Sequence, residues 1–389
     1  MKDWQEVSWD YARTVASHAV SPLLHELLPL SQCLNRRVAD DYPALCDLPP
    51  YTTSAMDGYA VSGQGPWRII GDVKAGAPFK EGLKSGTAVR IATGAVIPRD
   101  TFGVIRWEVA DVKDGYLRAE ASEGADIRLA GEESRKGDLL VRRGTKLSPS
   151  HLGLLASTGY DQIKVFRKPR IAILLLGDEL QLAGIPVSGL VRDSLGPQLP
   201  GWLERLGAEV VSLTYVTDEL ESVVRAIVNA GPTCDLIVTT GGTADGPRDH
   251  VHAALEKVGA SFFVDRVRSR PGHPALLAMI NVYSPIPLLG LPGNPQSAIV
   301  GLMTLGAPVL GAFQGEGLPE LTEVITREEI RAPENFTRLV LGNLIDGKFE
   351  MGKHLGSAML RGLVHASGFA LVQSGTTPAG GKIRWLPLP

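Results

Sequence analysis

From Arg170 the chain continues Ile171-Ala172-Ile173-Leu174-Leu175-Leu176 without one polar residue. A strand with one wet face alternates polar and apolar positions, so an unbroken run predicts a strand buried on both faces, in a parallel sheet covered by helices. The residues after it repeat the theme. The pattern predicts helices over 197–206, 219–229, 249–258 and 297–310, and strands over 210–216, 235–239 and 287–291. Strand and helix in alternation specify a three-layer α/β domain, whose ligands bind outside the carboxyl ends of the strands.

The flanking segments read differently. Residues 3–29 carry Val7, Tyr11, Val15, His18, Ala19, Leu23, Leu24 and Leu27 at roughly helical spacing, a helix that Pro22 kinks or divides. Between about 51 and 146, short runs such as Trp67-Arg68-Ile69-Ile70, Val104-Ile105-Arg106-Trp107 and Tyr116-Leu117-Arg118-Ala119 alternate with Gly, Pro and Asp turns, which predicts a β-rich region. After Phe313, Leu339-Val340-Leu341 and Phe369-Ala370-Leu371-Val372 predict a small β-domain. A chain of 389 residues exceeds what one core serves, so several domains are expected.

A formal charge of −3, from 39 basic and 42 acidic residues, argues against nucleic-acid or membrane binding by bulk electrostatics, so any anion site is local. Cys33, Cys46 and Cys234 show neither CxxC spacing nor an even count, which fits inert thiols in a reducing cytoplasm rather than a disulfide or zinc framework. The first residues lack the apolar stretch of a secretory signal. Residues 271–315 contain no Asp, Glu, Lys or Arg, but Pro274, Pro285, Pro287, Pro292, Pro295 and Pro308 interrupt them, so a buried core is expected rather than a membrane span. No repeat at a solenoid period is seen.

Three loops leave the predicted strands: Gly177-Asp178-Glu179-Leu180, Thr240-Gly241-Gly242-Thr243-Ala244-Asp245-Gly246, and Pro292-Gly293-Asn294-Pro295. Paired glycines let backbone N–H groups face an oxyanion, and a helix opening after Pro295 would offer unpaired N–H groups and its dipole. Asp178, Glu179, Asp218 and Asp249 gather at the same loop ends. Carboxylates beside an anion cradle suit Mg²⁺, although Asp218 and Asp249 serve equally as helix caps. His250 and His252, two apart, fall on different helix faces and do not make a metal pair.

These pieces occur together in one known order. Ser54-Ala55-Met56-Asp57-Gly58-Tyr59-Ala60-Val61, Arg90-Ile91-Ala92-Thr93-Gly94-Ala95, Asp126-Ile127-Arg128-Leu129-Ala130-Gly131-Glu132-Glu133, Lys168-Pro169-Arg170, Gly177-Asp178-Glu179-Leu180, Gly241-Gly242, Leu291-Pro292-Gly293-Asn294-Pro295 and Gly356-Ser357 span nearly the whole chain. The sequence resembles the molybdopterin molybdenumtransferases, the MoeA family that includes the E domain of gephyrin. The resemblance implies a multidomain α/β plus β fold: an elongated N-terminal domain over 1–50 and 127–167, an inserted β-rich domain over 51–126, a MogA-like three-layer α/β domain over 168–313, and a C-terminal β-barrel over 314–389. It further implies a cytoplasmic homodimer that inserts molybdate into adenylylated molybdopterin with Mg²⁺ and releases AMP. Asp57 would face the α/β loops of the partner subunit.

Carried over by motif, Asp57, Glu133, Glu179, Asp218 and Asp249 are the implied catalytic carboxylates, with Asp57, Glu179 and Asp249 on the metal. Thr93, Arg128, Arg270, His273 and Ser357 would bind molybdate. Gly241, Gly242, Thr243, Asp193, Pro292, Gly293 and Asn294 would bind molybdopterin. Four departures stand at this edge. Arg270-Pro271-Gly272-His273-Pro274 replaces two family lysines by an arginine and a histidine, Ala244 and Asp245 remove a hydroxyl and add a carboxylate, and Leu176 and Leu195 replace polar residues. Such changes also fit a catalytically degenerate, gephyrin-like scaffold binding a partner's peptide near the C-terminal domain, or a carrier that holds molybdopterin without inserting metal.

Overall fold

The computed structural model describes residues 6–187, 189–243 and 250–389. They form two compact units: the chain up to Glu26 together with Phe166–Pro389, and Leu27–Val165.

In the first unit the apolar run becomes the strand Arg170–Leu176, with every residue after Arg170 buried. It lies between Glu209–Val216 and Leu236–Thr240, and Pro285–Leu291 follows, all parallel. The next strand in the chain lies on one side of Arg170–Leu176 and the one after on the other, so the order reverses there. That reversal opens a crevice at the carboxyl ends of Arg170–Leu176 and Leu236–Thr240. Two further strands, Leu276–Asn281 and Ser261–Val264, continue the sheet antiparallel. Leu276–Asn281 comes from the uncharged stretch, whose continuous apolar character concealed where strands begin.

The predicted helices appear as Leu195–Arg205, Leu220–Ala230 and Val251–Lys257. Pro295–Phe313 is one continuous helix, interrupted only by a wide turn at Leu302–Gly306. The predicted helix over 297–310 already ran through Pro308, but the prolines were expected to leave no apolar run of membrane-spanning length, and the helix has 19 residues. The wide turn accommodates Pro308, since a π-turn re-spaces the hydrogen bonds around a residue that has no N–H. The helix is long and apolar enough to cross a membrane, and all of it but Pro295 and Ala307 is buried inside the protein.

A second sheet closes on itself. Thr337–Ile345, Lys348–Met351, Thr322–Thr326, Lys382–Pro387 and Gly368–Val372 pair in a ring, the last returning to Thr337–Ile345, around Phe349, Val340, Ile383 and Trp385. Closure removes free strand edges and gives the C-terminal β-barrel. Arg266–Arg270 pairs parallel to Thr337–Ile345, and Glu6–Ser8 pairs parallel to Arg266–Arg270.

The expected helix over 3–29 is a misreading. Helix runs only from Trp9 to His18, opened by Ser8, whose hydroxyl accepts the Tyr11 N–H, and His25–Pro29 is strand. Pro22 biases Ser21 away from helical backbone. The buried face is Trp9, Ala12, Arg13 and Ala16, while Tyr11 is 57% exposed. Trp9 Nε1 donates to Thr304 Oγ1 at 2.9 Å, so this helix belongs to the α/β core.

The second unit is rich in short strands, as expected. Its largest sheet runs Gly103–Arg106, Gly58–Ser62, Thr87–Ile91, Trp67–Val73, Tyr116–Arg118, Asp111–Lys113. Separate small cores lie on its two faces and under residues 28–42 and 140–165. All three cysteines are free, and burial pushes the Cys234 thiol up to about 11, so it is no thiolate at neutral pH.

Candidate active site

At the crevice of the α/β sheet lies a cavity of about 650 Å³. Among its walls are Glu179, Asp193, Gly241, Gly242, Thr243, Pro292, Gly293 and Asn294, eight residues named from sequence. A second cavity of about 410 Å³ shares Pro274, Pro292 and Asn294 with it and adds Arg270, His273, Ser297, Arg338 and Ser357. Two adjoining cavities with common walls suit a ligand pair that must meet.

Local chemistry explains how each loop is held. Gly241 and Gly242 both have positive φ, 79° and 66°, which side chains rarely adopt. The Gly241 N–H does not face the cavity as an anion donor, because it donates to the Leu291 carbonyl at 2.9 Å and ties the second loop to the third strand end. The helix at Pro295 likewise has no unpaired N-terminus. Gln296 and Ser297 donate their N–H groups to the Ser357 carbonyl at 2.9 and 3.4 Å, and the Gln296 side chain donates to the carbonyls of His354 and Met359. The expected anion site there is corrected to a backbone clamp, which brings the Gly356-Ser357 loop of the barrel to the cavity.

Asp193 is 5% exposed and fully engaged: Oδ1 accepts from Leu195 and Gly196 N–H at 2.9 and 3.0 Å, and Oδ2 accepts the Tyr215 hydroxyl at 2.8 Å. Burial, and then the hydrogen bond to this carboxylate, push the Tyr215 phenol up. Asp193 thus anchors the start of the helix Leu195–Arg205. Asp218 does not line either cavity. It accepts the Asp178 N–H and donates its own to the Asp178 carboxylate, both at 3.2 Å, which fixes the loop that carries Glu179. Leu176 and Leu195, the two apolar departures, are buried in the wall of the larger cavity.

The strongest electrostatic feature lies in the smaller cavity. Arg270 and Arg338 are in-register neighbours on parallel strands. Like charges side by side repel. Among the described residues no carboxylate forms a salt bridge with either: Arg270 stacks over Phe336 at 4.6 Å, and Arg338 donates to the Arg331 carbonyl at 2.7 Å. Arg338 escaped the sequence reading because no local motif surrounds it, and only its pairing with Arg270 gives it a role.

The other expected residues fall in the second unit. Asp57 Oδ1 accepts the Thr93 N–H at 2.7 Å, which joins the two motifs. Arg128 lies on Ile127–Arg128, paired with Thr53–Ser54, and is exposed. Glu133 is exposed and donates its N–H to the Leu48 carbonyl at 2.9 Å. Ala244, Asp245 and Asp249 lie outside the described residues. Among the described residues no three His, Cys, Asp or Glu side chains gather as a metal site.

Residues 7–159 match the family model for the MoeA N-terminal region (domain I and II), and residues 172–312 match that for a probable molybdopterin binding domain. The molybdopterin molybdenumtransferase of Haemophilus influenzae is 35% identical over 305 residues, covering 76% of this chain and 74% of that protein. That of Bacillus subtilis is 30% identical over 377 residues, covering 90% and 86%. Among solved structures, the molybdopterin biosynthesis MoeA protein of Pyrococcus horikosii superposes with a TM-score of 0.80 at 25% identity, covering 99% of this chain and all of that one.

Proposed function

Because this chain belongs to the MoeA family of molybdopterin molybdenumtransferases, we propose that it inserts molybdenum from molybdate into adenylylated molybdopterin and releases AMP. The observation that carries this reading is the pair of in-register arginines, Arg270 and Arg338, lining one cavity beside a larger one. Two cations that no carboxylate among the described residues neutralises are stabilised by a bound dianion. Molybdate, a tetrahedral dianion, occupies the smaller cavity, with Ser357 nearby to orient an oxygen.

The larger cavity takes molybdopterin. Leu176 and Leu195 offer apolar wall to the ring, and the glycine turn leaves room for a close backbone approach. Pro292 and Asn294, common to both cavities, set the distance between the dithiolene and the molybdate. Holding both reactants turns their encounter into a step within one complex. Glu179 is exposed in the larger cavity and is the carboxylate assigned to act at the adenylate. Asp57, Thr93, Arg128 and Glu133 are assigned to the same reaction, with Asp57 facing the α/β loops of the partner subunit. The homodimer, Mg²⁺ and the sequence-derived domain boundaries belong to this same proposal. The peptide-binding scaffold has no comparable observation behind it.

The test is AMP release from adenylylated molybdopterin with Mg²⁺, with and without molybdate. Molybdate-dependent release is expected, falling at least about 100-fold in Arg338→Ala and in Glu179→Ala. A folded protein that releases no AMP overturns the assignment.

A further inference from the structure

The smaller cavity contains a third basic group. His273 lines it, and His273 Nε2 lies 2.8 Å from Glu6 Oε1. Glu6 reaches this point from the far end of the sequence, on the strand Glu6–Ser8, where it stands in register with Arg266. The imidazole is tilted against Phe336 with centroids 5.5 Å apart, on the ring that also carries the Arg270 guanidinium. The charged groups around it are therefore Glu6 from the N-terminal strand, with Arg266 beside it, Arg270 from its own segment, and Arg338 from the barrel.

An acidic residue so close to an anion cavity calls for a reason, because its negative charge opposes the ligand. Bonded to a protonated imidazole its charge is offset across that hydrogen bond, whereas a neutral imidazole offers it no such offset. The 2.8 Å contact suits a charge-assisted hydrogen bond between imidazole and carboxylate, and histidine is the side-chain type that changes charge between about pH 5 and 8. We propose that Glu6 is a positioning residue that holds His273 as a third cation of the oxyanion cavity, so that anion affinity rises as pH falls through the histidine range. The inference rests on the assignment of this cavity to molybdate. It also gives the histidine departure a physical meaning: a permanent charge is replaced by one that responds to pH.

Molybdate binding to the full chain, measured by calorimetry at about pH 6 and about pH 8, tests it. The parent protein is expected to bind roughly five- to tenfold more weakly at the higher pH. His273→Lys, charged throughout, loses that dependence, and His273→Gln binds weakly at both. Glu6→Gln weakens binding about threefold at the lower pH, where it no longer holds the imidazolium, and strengthens it at the higher, where only the opposing carboxylate charge has been removed. A parent affinity that ignores pH, or a Glu6→Gln protein that binds equally well or better at both, overturns the proposal. If Glu6→Gln fails to fold, the two His273 variants still decide. Absence of binding in every variant, together with absence of AMP release, sinks the molybdate assignment and this inference with it. Molybdate binding and AMP release with an unmoved pH profile sink this inference alone.

Discussion

Gly58, in the Met-Asp-Gly-Tyr motif, shows why a short stretch of sequence tolerates so little. Its φ is not among the positive ones, so conformational freedom is not the cause. A Cβ built there would lie 2.1 Å from the Ile105 carbonyl oxygen, on the strand paired beside it. Backbone on both sides leaves nothing to yield, and Asp57, next in the chain, must stay placed to accept the Thr93 N–H. Gly58→Ala is therefore expected to destabilise the protein by about 2–3 kcal/mol in urea unfolding. Gly94 is the control, since its φ is +77° and its Cβ would meet nothing within 4 Å. Gly94→Ala should lose only about 1 kcal/mol, from backbone strain. Equal losses at the two positions would show that close approach is not what Gly58 serves.

Among elements, the entry to the α/β sheet has an electrostatic lock. Asp235 accepts two hydrogen bonds from the Arg167 guanidinium at 2.7 and 2.8 Å and one from the Arg170 N–H at 2.7 Å, which aligns the starts of Arg170–Leu176 and Leu236–Thr240. Arg167 is 36% exposed, so water takes over part of its solvation when the partner goes. Asp235→Ala is expected to lose about 1–2 kcal/mol, and Asp235→Asn about half of that, by thermal unfolding. The elements of this layer were legible because their patterns are strong: helices predicted over 197–206 and 219–229 are seen at Leu195–Arg205 and Leu220–Ala230. The N-terminal helix was overextended because Leu23, Leu24 and Leu27 kept a helical period that the Pro22 boundary overrode. Sites followed the same division. Loops marked by glycine and proline could be found in the sequence, and the larger cavity gathers them. The partners of their N–H groups could not, because the Ser357 carbonyl that receives two of them lies about sixty residues further on. Arg338 and Glu6 were hidden for the same reason, since only strand pairing brings them to Arg270 and His273.

For the whole molecule, the chain path makes a sharper test possible than any point substitution. The unit that holds Arg270, His273, Arg338 and Ser357 is built from two segments, and the intervening Leu27–Val165 has cores of its own. The two segments meet where the chain leaves and returns: the Arg167 N–H donates to the Leu24 carbonyl at 3.0 Å. Strand ends at that spacing are joined in hairpins by loops of about two to five residues. A chain in which a short glycine linker joins Glu26 to Phe166 should therefore fold, because Trp9, 1% exposed, keeps its core partners and the barrel still closes. It is expected to melt in one cooperative transition and to bind molybdate within about threefold of the parent, as follows when every lining residue of the smaller cavity is retained and the excised Thr93 and Arg128 act on the reaction rather than on the anion's affinity. AMP release should fall to background, because Asp57 and Thr93 have been removed. Retained binding without turnover would separate oxyanion capture, carried by this unit, from the chemistry that the excised residues complete. Loss of binding from a folded shortened chain would mean that the arginine pair does not suffice to hold the anion.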